Sequence, residues 1–269
     1  MAKKMISLPS MSRVTPGSTA ILDLPIGPTY EQLIFSASGT GLAATHFGGI
    51  RLLIDGTVRR THKDLQRLMD LNGYYNQSVD SATEFMVHFI RQEFASLADE
   101  LTPGLGTQDL RTLTIEIDIL AGAPANIAMS AAAFVDTEPQ PLGVYTQIKE
   151  YTLPVSAAGD VDWDKLSRAN ANVYQAVHFF KSDVTKVYFE VDSFKVADFT
   201  KAQLERIQRS ARPIARVPVT AKASTLDFNI RGAVSDLLNM RNVKDSRFRL
   251  TVGSAGTIEI VTEELTMEK

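Results

Sequence analysis

Ile50–Leu71 reads IRLLIDGTVRRTHKDLQRLMDL, and Lys186–Gln208 reads KVYFEVDSFKVADFTKAQLERIQ. Both begin with a β-rich apolar run and reach an acidic turn, Asp55-Gly56 or Asp192-Ser193. Both then extend again and continue into an amphipathic helical pattern, with Thr61 and Thr200 as the predicted helix caps. In the first helix Leu65, Leu68, Met69 and Leu71 make a stripe along one side. Pairing Asp55 with Asp192 gives an offset of 137 (192 − 55), and pairing Leu65 with Leu204 gives 139 (204 − 65). The second copy is therefore expected to be longer by about two residues between these points. An offset near half of 269 residues implies two copies of a domain rather than a short-period solenoid.

The rest of the chain fits around these modules. Before the first, Ala20–Leu24 and Tyr30–Ser38 read as strands separated by two prolines. After it come Thr83–Arg91, a helical or irregular piece over Glu93–Leu101, and Arg111–Ile119, where Leu113, Ile115, Ile117 and Ile119 alternate with polar residues. Ile127–Val135 fits either a strand or a helix, and Thr137–Gly143 is the best linker, with two prolines and a glycine. The second half repeats the order. Val144–Leu153 is a strand stopped by Pro154, Asp160–Asn170 a short helix around Trp163, and Val173–Phe180 a strand. Leu226–Arg231 answers Met86–Arg91, with Ile90 and Ile230 offset by 140 (230 − 90). A short helix over Ala233–Met240 and strands at Arg247–Val252 and Thr257–Glu263 complete the copy. Many short strands with Gly/Pro turns, five to eight in each half, predict a mainly β protein of two tandem sandwiches or barrels over residues 1–138 and 139–269, with a few short helices inserted. Eight strands in two sheets make a jelly roll, which periodicity alone does not separate from other sandwiches.

Composition narrows the function classes. A formal charge of −3 gives no phosphate-neutralising face, so direct nucleic-acid binding is not expected. Lys3 and Lys4 read as part of a solvated tail, and MAKKMISLPSM lacks the apolar core of a secretory signal. The chain has no cysteine, which removes disulfides, thiolate nucleophiles and cysteine zinc sites, and fits folding in a reducing cytoplasm.

Five stretches carry a family resemblance: LPIGPTYE at Leu24–Glu31, IRLLIDGTV at Ile50–Val58, VHFIRQE at Val87–Glu93, IEIDI at Ile115–Ile119 and TLDFNIRG at Thr225–Gly232. In this order and over nearly the whole chain, they resemble the double jelly-roll major capsid proteins of tailless, membrane-containing icosahedral phages of the corticovirus type. The resemblance implies a non-enzymatic coat protein in the virion, made in the host cytoplasm. It implies a homotrimer forming a pseudo-hexagonal capsomer, with neighbouring capsomers, vertex and membrane-associated virion proteins and an underlying viral membrane as partners. It also implies that the N-terminal segment lies on the membrane-facing side. No cofactor is required by this reading.

Competing motifs are weak. Gly39-Thr-Gly41-Leu-Ala-Ala44 matches a dinucleotide fingerprint, yet the next strand begins at Ile50 and leaves no room for the helix that a pyrophosphate site needs. A duplicated jelly roll also describes a bicupin-like metalloenzyme, but His46, His62, His88 and His178 form neither H-x-H nor H-E-x-x-H. A third reading is a duplicated sugar- or receptor-binding sandwich. Asp160, Asp162 and Asp164 have the spacing of a calcium loop without its glycine. They are read as caps of the helix around Trp163, with a structural calcium as the alternative. Arg206, Arg209, Arg212 and Arg216 are read as a solvated helix end or as salt bridges across a capsomer contact.

Overall fold

Asp55-Gly56 and Asp192-Ser193 are two-residue hairpin loops in which both residues have positive φ: 49° and 76° in the first, 46° and 68° in the second. That is the type I′ signature, whose twist matches the strands on either side. The computed structural model describes residues 3–77, 80–168 and 173–267, and everything below concerns these. The chain divides into two compact units, one of Met1–Gln92 with Leu97–Ile148 and one of Glu93–Ser96 with Lys149–Glu268.

The first unit holds β1 (Lys3–Ser7), β2 (Ser18–Asp23), β3 (Thr29–Ser38), β4 (Phe47–Ile54), β5 (Thr57–His62), α1 (Leu65–Tyr74), β6 (Glu84–His88), α2 (Leu97–Leu101), β7 (Leu113–Ile119) and β8 (Ala128–Asp136). Its strands run β1-β8-β3-β6 in one sheet and β2-β7-β4-β5 in the other. The second unit holds β9 (Tyr145–Val155) from Lys149 onward, β10 (Gly159–Trp163), β11 (Val173–Phe180), β12 (Val184–Val191), β13 (Phe194–Thr200), α3 (Lys201–Arg209), β14 (Ala223–Asp227), the short β15 (Leu238–Asn239), β16 (Ser246–Val252) and β17 (Gly256–Thr266). Its strands run β9-β17-β11-β14 and β10-β16-β12-β13. Setting aside β15, which pairs with β11, the two orders coincide strand for strand. Each unit is an eight-stranded jelly roll, as expected.

Alternation fills each roll from its two inner faces. Leu22, Leu33, Phe35, Leu52, Phe85 and Ile115 are buried in the first, where Phe35 stacks on Phe85 at 5.1 Å. The second is more aromatic: Phe248 stacks on Phe189 at 4.1 Å and touches Phe179 and Trp163 at 5.3 and 5.6 Å.

The duplication extends to single hydrogen bonds. The Asp55 carboxylate accepts the backbone N–H of Arg111 and Thr112 at 2.7 and 2.9 Å. The Asp192 carboxylate accepts those of Lys244 and Asp245 at 2.9 and 2.8 Å. Tyr30 and Tyr174 each precede a bulge, at Glu31 and Gln175, whose carbonyls accept the N–H of Phe89 and Phe228, both at 2.9 Å. On each helix one amide side chain reaches the next strand: Asn72 Nδ2 donates to the Met86 carbonyl at 2.8 Å, and Gln208 Nε2 to that of Thr225 at 2.7 Å.

These bonds correct several expectations. Phe89 matches Phe228 at an offset of 139 (228 − 89), so the pairing of Ile90 with Ile230 was one residue out of register. Asn72 matches Gln208 at 136 (208 − 72), which aligns Leu204 with Leu68 rather than Leu65. From hairpin to helix the second copy is thus one residue shorter, not two longer. The cap of α1 is Asp64, whose Oδ1 accepts from Arg67 N at 2.8 Å, while Thr61 lies inside β5. Thr200 caps α3 as expected, in a capping box with Gln203.

The helix expected around Trp163 is replaced by β10 through Trp163, because Val161 and Trp163 turn to the core while Asp160 and Asp162 face away. Asp164–Arg168 is irregular, and Ala169 and Asn170 lie outside the described residues. Ala233–Met240 is a turn of 3-10 helix and the short β15. The N-terminal residues are no solvated tail from Lys3 onward, since β1 pairs with β8. Ile127–Val135 resolves as strand, and β9 continues through Pro154, whose missing N–H a strand tolerates at its end.

Candidate functional site

The chemistry-bearing residues lie mostly on the solvent-facing sides of β2-β7-β4-β5 and β10-β16-β12-β13. In the first roll Arg51 on β4 bridges Glu116 at 3.0 Å and Asp118 at 2.7 and 2.8 Å, and Thr19 Oγ1 donates to Asp118 at 2.7 Å. The bond from Arg51 holds the Asp118 carboxyl below the usual carboxylate range, and the Arg51 pKa is raised in turn.

The second roll builds the counterpart with the roles redistributed. Arg249 on β16 grips Asp162 through two bonds, 2.7 and 3.0 Å, and Thr251 Oγ1 donates to Asp160 at 2.6 Å. Arg247 lies 3.8 Å from Asp162 and 3.6 Å from Glu190. Lys186 and Lys195 hold Asp198 at 2.7 and 3.0 Å. The Asp162 carboxyl is held low mainly by the Arg249 bond, and that of Asp198 by its bonds to Lys186 and Lys195. Opposite charges on neighbouring strands of a pleated face fall in line because same-face residues lie opposite one another across the ladder.

Of the calcium candidates, Asp160 and Asp162 therefore share one face, each bonded to a β16 side chain, while Asp164 is exposed beyond the strand end. Among the described residues, no group of three or more His, Cys, Asp or Glu is placed to hold a metal ion. The reading of these aspartates as helix caps fails with the helix itself.

The arginine cluster separates. Arg206, Arg209 and Arg212 are exposed, but Arg216 is fully buried. Its Nε donates to Asp227 at 2.9 Å, and its other nitrogens donate to the carbonyls of Ile214 and Asn229, both at 2.7 Å. The expectation of a solvated Arg216 is thereby overturned. Sequence reasoning missed this pair, although an aspartate preceding Asn229 across a Pro-rich loop was visible.

The histidines do not converge. His46 Nδ1 accepts from Ala43 N at 3.1 Å beside β4, His62 ends β5, His88 ends β6, and His178 on β11 lies between Thr225 and Glu263 at 2.9 and 2.7 Å. Gly39–Ala44 leads into three residues of 3-10 helix and then β4, with no helix behind it to hold a pyrophosphate.

Two jelly rolls of one strand order place the chain in the double jelly-roll class. Residues 5–136 match the viral coat protein P2 N-terminal domain and residues 145–267 its C-terminal domain. Major capsid protein P2 of Pseudoalteromonas phage PM2 is 24% identical over 97% of this chain and 96% of its own length. The crystal structure of the major capsid protein P2 from bacteriophage PM2 has a TM-score of 0.91 at 23% identity, covering 100% of this chain and 98% of that one. That of the STIV MCP has a TM-score of 0.71 at 11% identity, with 99% and 97% covered. The chain belongs to the viral coat protein P2 family, the double jelly-roll major capsid proteins of corticovirus type. Its role is structural rather than enzymatic, and its place is the capsid of the phage virion.

Proposed function

We propose that three copies of the chain form a pseudo-hexagonal capsomer, and that these blocks tile an icosahedral shell around an internal membrane. The observation that carries this is the repetition of the roll down to the carboxylate anchors of Asp55 and Asp192. Two similar rolls in each of three subunits supply six similar corners from three-fold symmetry, and hexagonal blocks cover flat facets. Residues 1–138 and 139–269 are the two building domains. Neighbouring capsomers, vertex and membrane-associated virion proteins and the membrane are its partners, and nucleic acid is not touched directly. Light scattering tests the reading: a species of about 88 kDa, three times the chain mass of 29.5 kDa, is expected. A monomer at every protein concentration would overturn it.

The pairing of Asp160 with Thr251 and of Asp162 with Arg249 supports a cross-strand structural role for these carboxylates rather than a structural calcium. Titration with Ca²⁺ is expected to give no heat of binding. A saturable heat that disappears in Asp162→Asn would restore the calcium at Asp160, Asp162 and Asp164. The alternatives of a bicupin-like metalloenzyme and a sugar- or receptor-binding sandwich pair have no support from the separated histidines or from the family.

A further inference from the structure

The second unit includes four residues that the chain reaches long before the second roll begins, Glu93–Ser96. The chain leaves the first unit after Gln92 and returns to it at Leu97, where α2 starts. Glu93 and Phe94 are buried, at 0% and 3% exposure. Gln175 Nε2 on β11 donates to Glu93 Oε1, and the Ala95 N–H donates to the Gly232 carbonyl at 2.8 Å. Gly232 makes the room for this approach. A Cβ built on it would stand 2.8 Å from the Glu93 carbonyl oxygen, 3.0 Å from the Ala95 nitrogen and 2.6 Å from Cδ of Pro213. Its φ of 72° is one that glycine adopts without strain.

The repeated bulges show what the segment contributes. Glu31 and Gln175 are the bulged residues after Tyr30 and Tyr174, and a bulge re-aims its side chain out of the regular pleat. In the first roll Glu31 takes Lys3 at 2.8 Å, a partner on β1 of the same roll whose side chain is 48% exposed. In the second roll Gln175 is closed to solvent and takes Glu93, from 82 residues earlier in the chain. A buried amide donor is costly unless it is bonded, and a carboxylate is among its strongest acceptors. The second roll thus draws from the first half of the chain a partner that the first roll finds on its own strand.

We infer that Glu93–Ser96 is a donated segment without which the second roll is incomplete, and that Gln175 and the notch at Gly232 are the surface that receives it. The second roll is then a composite of its own half and four residues from the other. A cut at residue 138 would part it from a piece of itself. The loan runs one way, since among the described residues the first unit takes nothing from beyond Ile148. The order of synthesis suits this, because an N-terminal segment is made before the roll that receives it.

Hydrogen exchange on the full chain, read roll by roll, tests this. Glu93→Ala is expected to lower the protection of β11 and β14 by about thirtyfold and to leave β2 and β7 unchanged, although residue 93 lies in the first half of the sequence. Gln175→Ala should act on the same two strands. The double variant should lose little more than either single one, because both remove one bond. Glu93→Gln keeps the shape and an acceptor oxygen, so it should give a smaller loss in β11 and β14, and it carries the test alone if Glu93→Ala does not fold. Unchanged protection of β11 and β14, an equal loss in both rolls, or single effects that add in full would overturn the inference.

Discussion

His88 and Asp227 stand at one and the same place in the two rolls, the end of the strand after the helix, where Gln32 pairs with one and Ala176 with the other. Around His88 the first roll buries two arginines. Arg60 Nη1 donates to the His88 carbonyl and its guanidinium lies 6.0 Å from the Phe89 ring, while that of Arg91 lies 4.6 Å from the Tyr75 ring. Around Asp227 the second roll buries one arginine, Arg216, against a carboxylate and two carbonyls. Each roll thus brings cations into the same corner, with aromatic rings beside them in the first and a carboxylate bound to Arg216 in the second. Duplication has kept the backbone frame, with its bulges and anchored turns, and left the side chains of the corner free to find different solutions.

The largest expected effect comes from breaking the anionic solution. Asp227→Ala leaves the Arg216 charge buried without its carboxylate, so a loss of about 3–5 kcal/mol is expected in denaturant unfolding. The joint replacement Arg216→Met with Asp227→Leu removes both charges and should recover most of it. If the single variant costs no more than an ordinary surface change, the pair is not what holds the corner.

The corner of the first roll is tested by acid. Burial first, and then the nearby charges of Arg60 and Arg91, push the His88 pKa down from 6.5 to about 4. Below its ordinary value the unfolded chain takes up the proton before the folded one does. The contribution is therefore complete above about pH 6.5 and is lost as the pH falls towards 4, to the extent of about 3 kcal/mol. His88→Gln should flatten the first roll's acid sensitivity in that window, read by hydrogen exchange on β3 and β6, and leave β11 and β14 unchanged. An equal response in both rolls would break the contrast.

Much of this frame was legible in the sequence, for reasons that can be located. Asp55-Gly56 carries the type I′ preference and Asp192-Ser193 stands as an acidic turn in the same place, so the modules could be matched from sequence. The helix register could not, because Leu65 and Leu68 both lie on the buried stripe and pattern alone does not choose between them. The cap was misplaced because Thr61 and Asp64 are both capping residues. The choice falls to the pairing of Ile50 with His62, which keeps the strand going past Thr61. β10 was hidden by its own aspartates, although Asp-Val-Asp-Trp alternates as a strand should. β1 has little inward pattern and exists because β8 pairs with it. Arg216 looks in sequence like any surface arginine, and only the fold brings Asp227, 11 residues on, to its side.

The carboxylate anchors give a prediction about sameness rather than contrast. Asp55→Ala and Asp192→Ala each delete two charge-assisted bonds and leave a side chain at positive φ that favours it less. A loss of about 2 kcal/mol is expected from each, equal within the scatter of such measurements. Losses that differ several-fold would mean that the two turns share geometry without sharing weight.

The smallest effect sits one residue further on. Gly56 and Ser193 follow the anchoring aspartates at φ of 76° and 68°, a region where a Cβ costs energy and glycine avoids that cost. No atom lies within 4 Å of a Cβ built on Gly56, so conformation alone separates the two turns there. Ser193→Gly should therefore stabilise the second roll by about 1 kcal/mol, and Gly56→Ser should destabilise the first by a similar amount. Thermal unfolding of the reciprocal pair measures both. Shifts of the same sign would show that the second turn gains something from its serine that the first turn never had, and the two hairpins would then be equivalent in shape only.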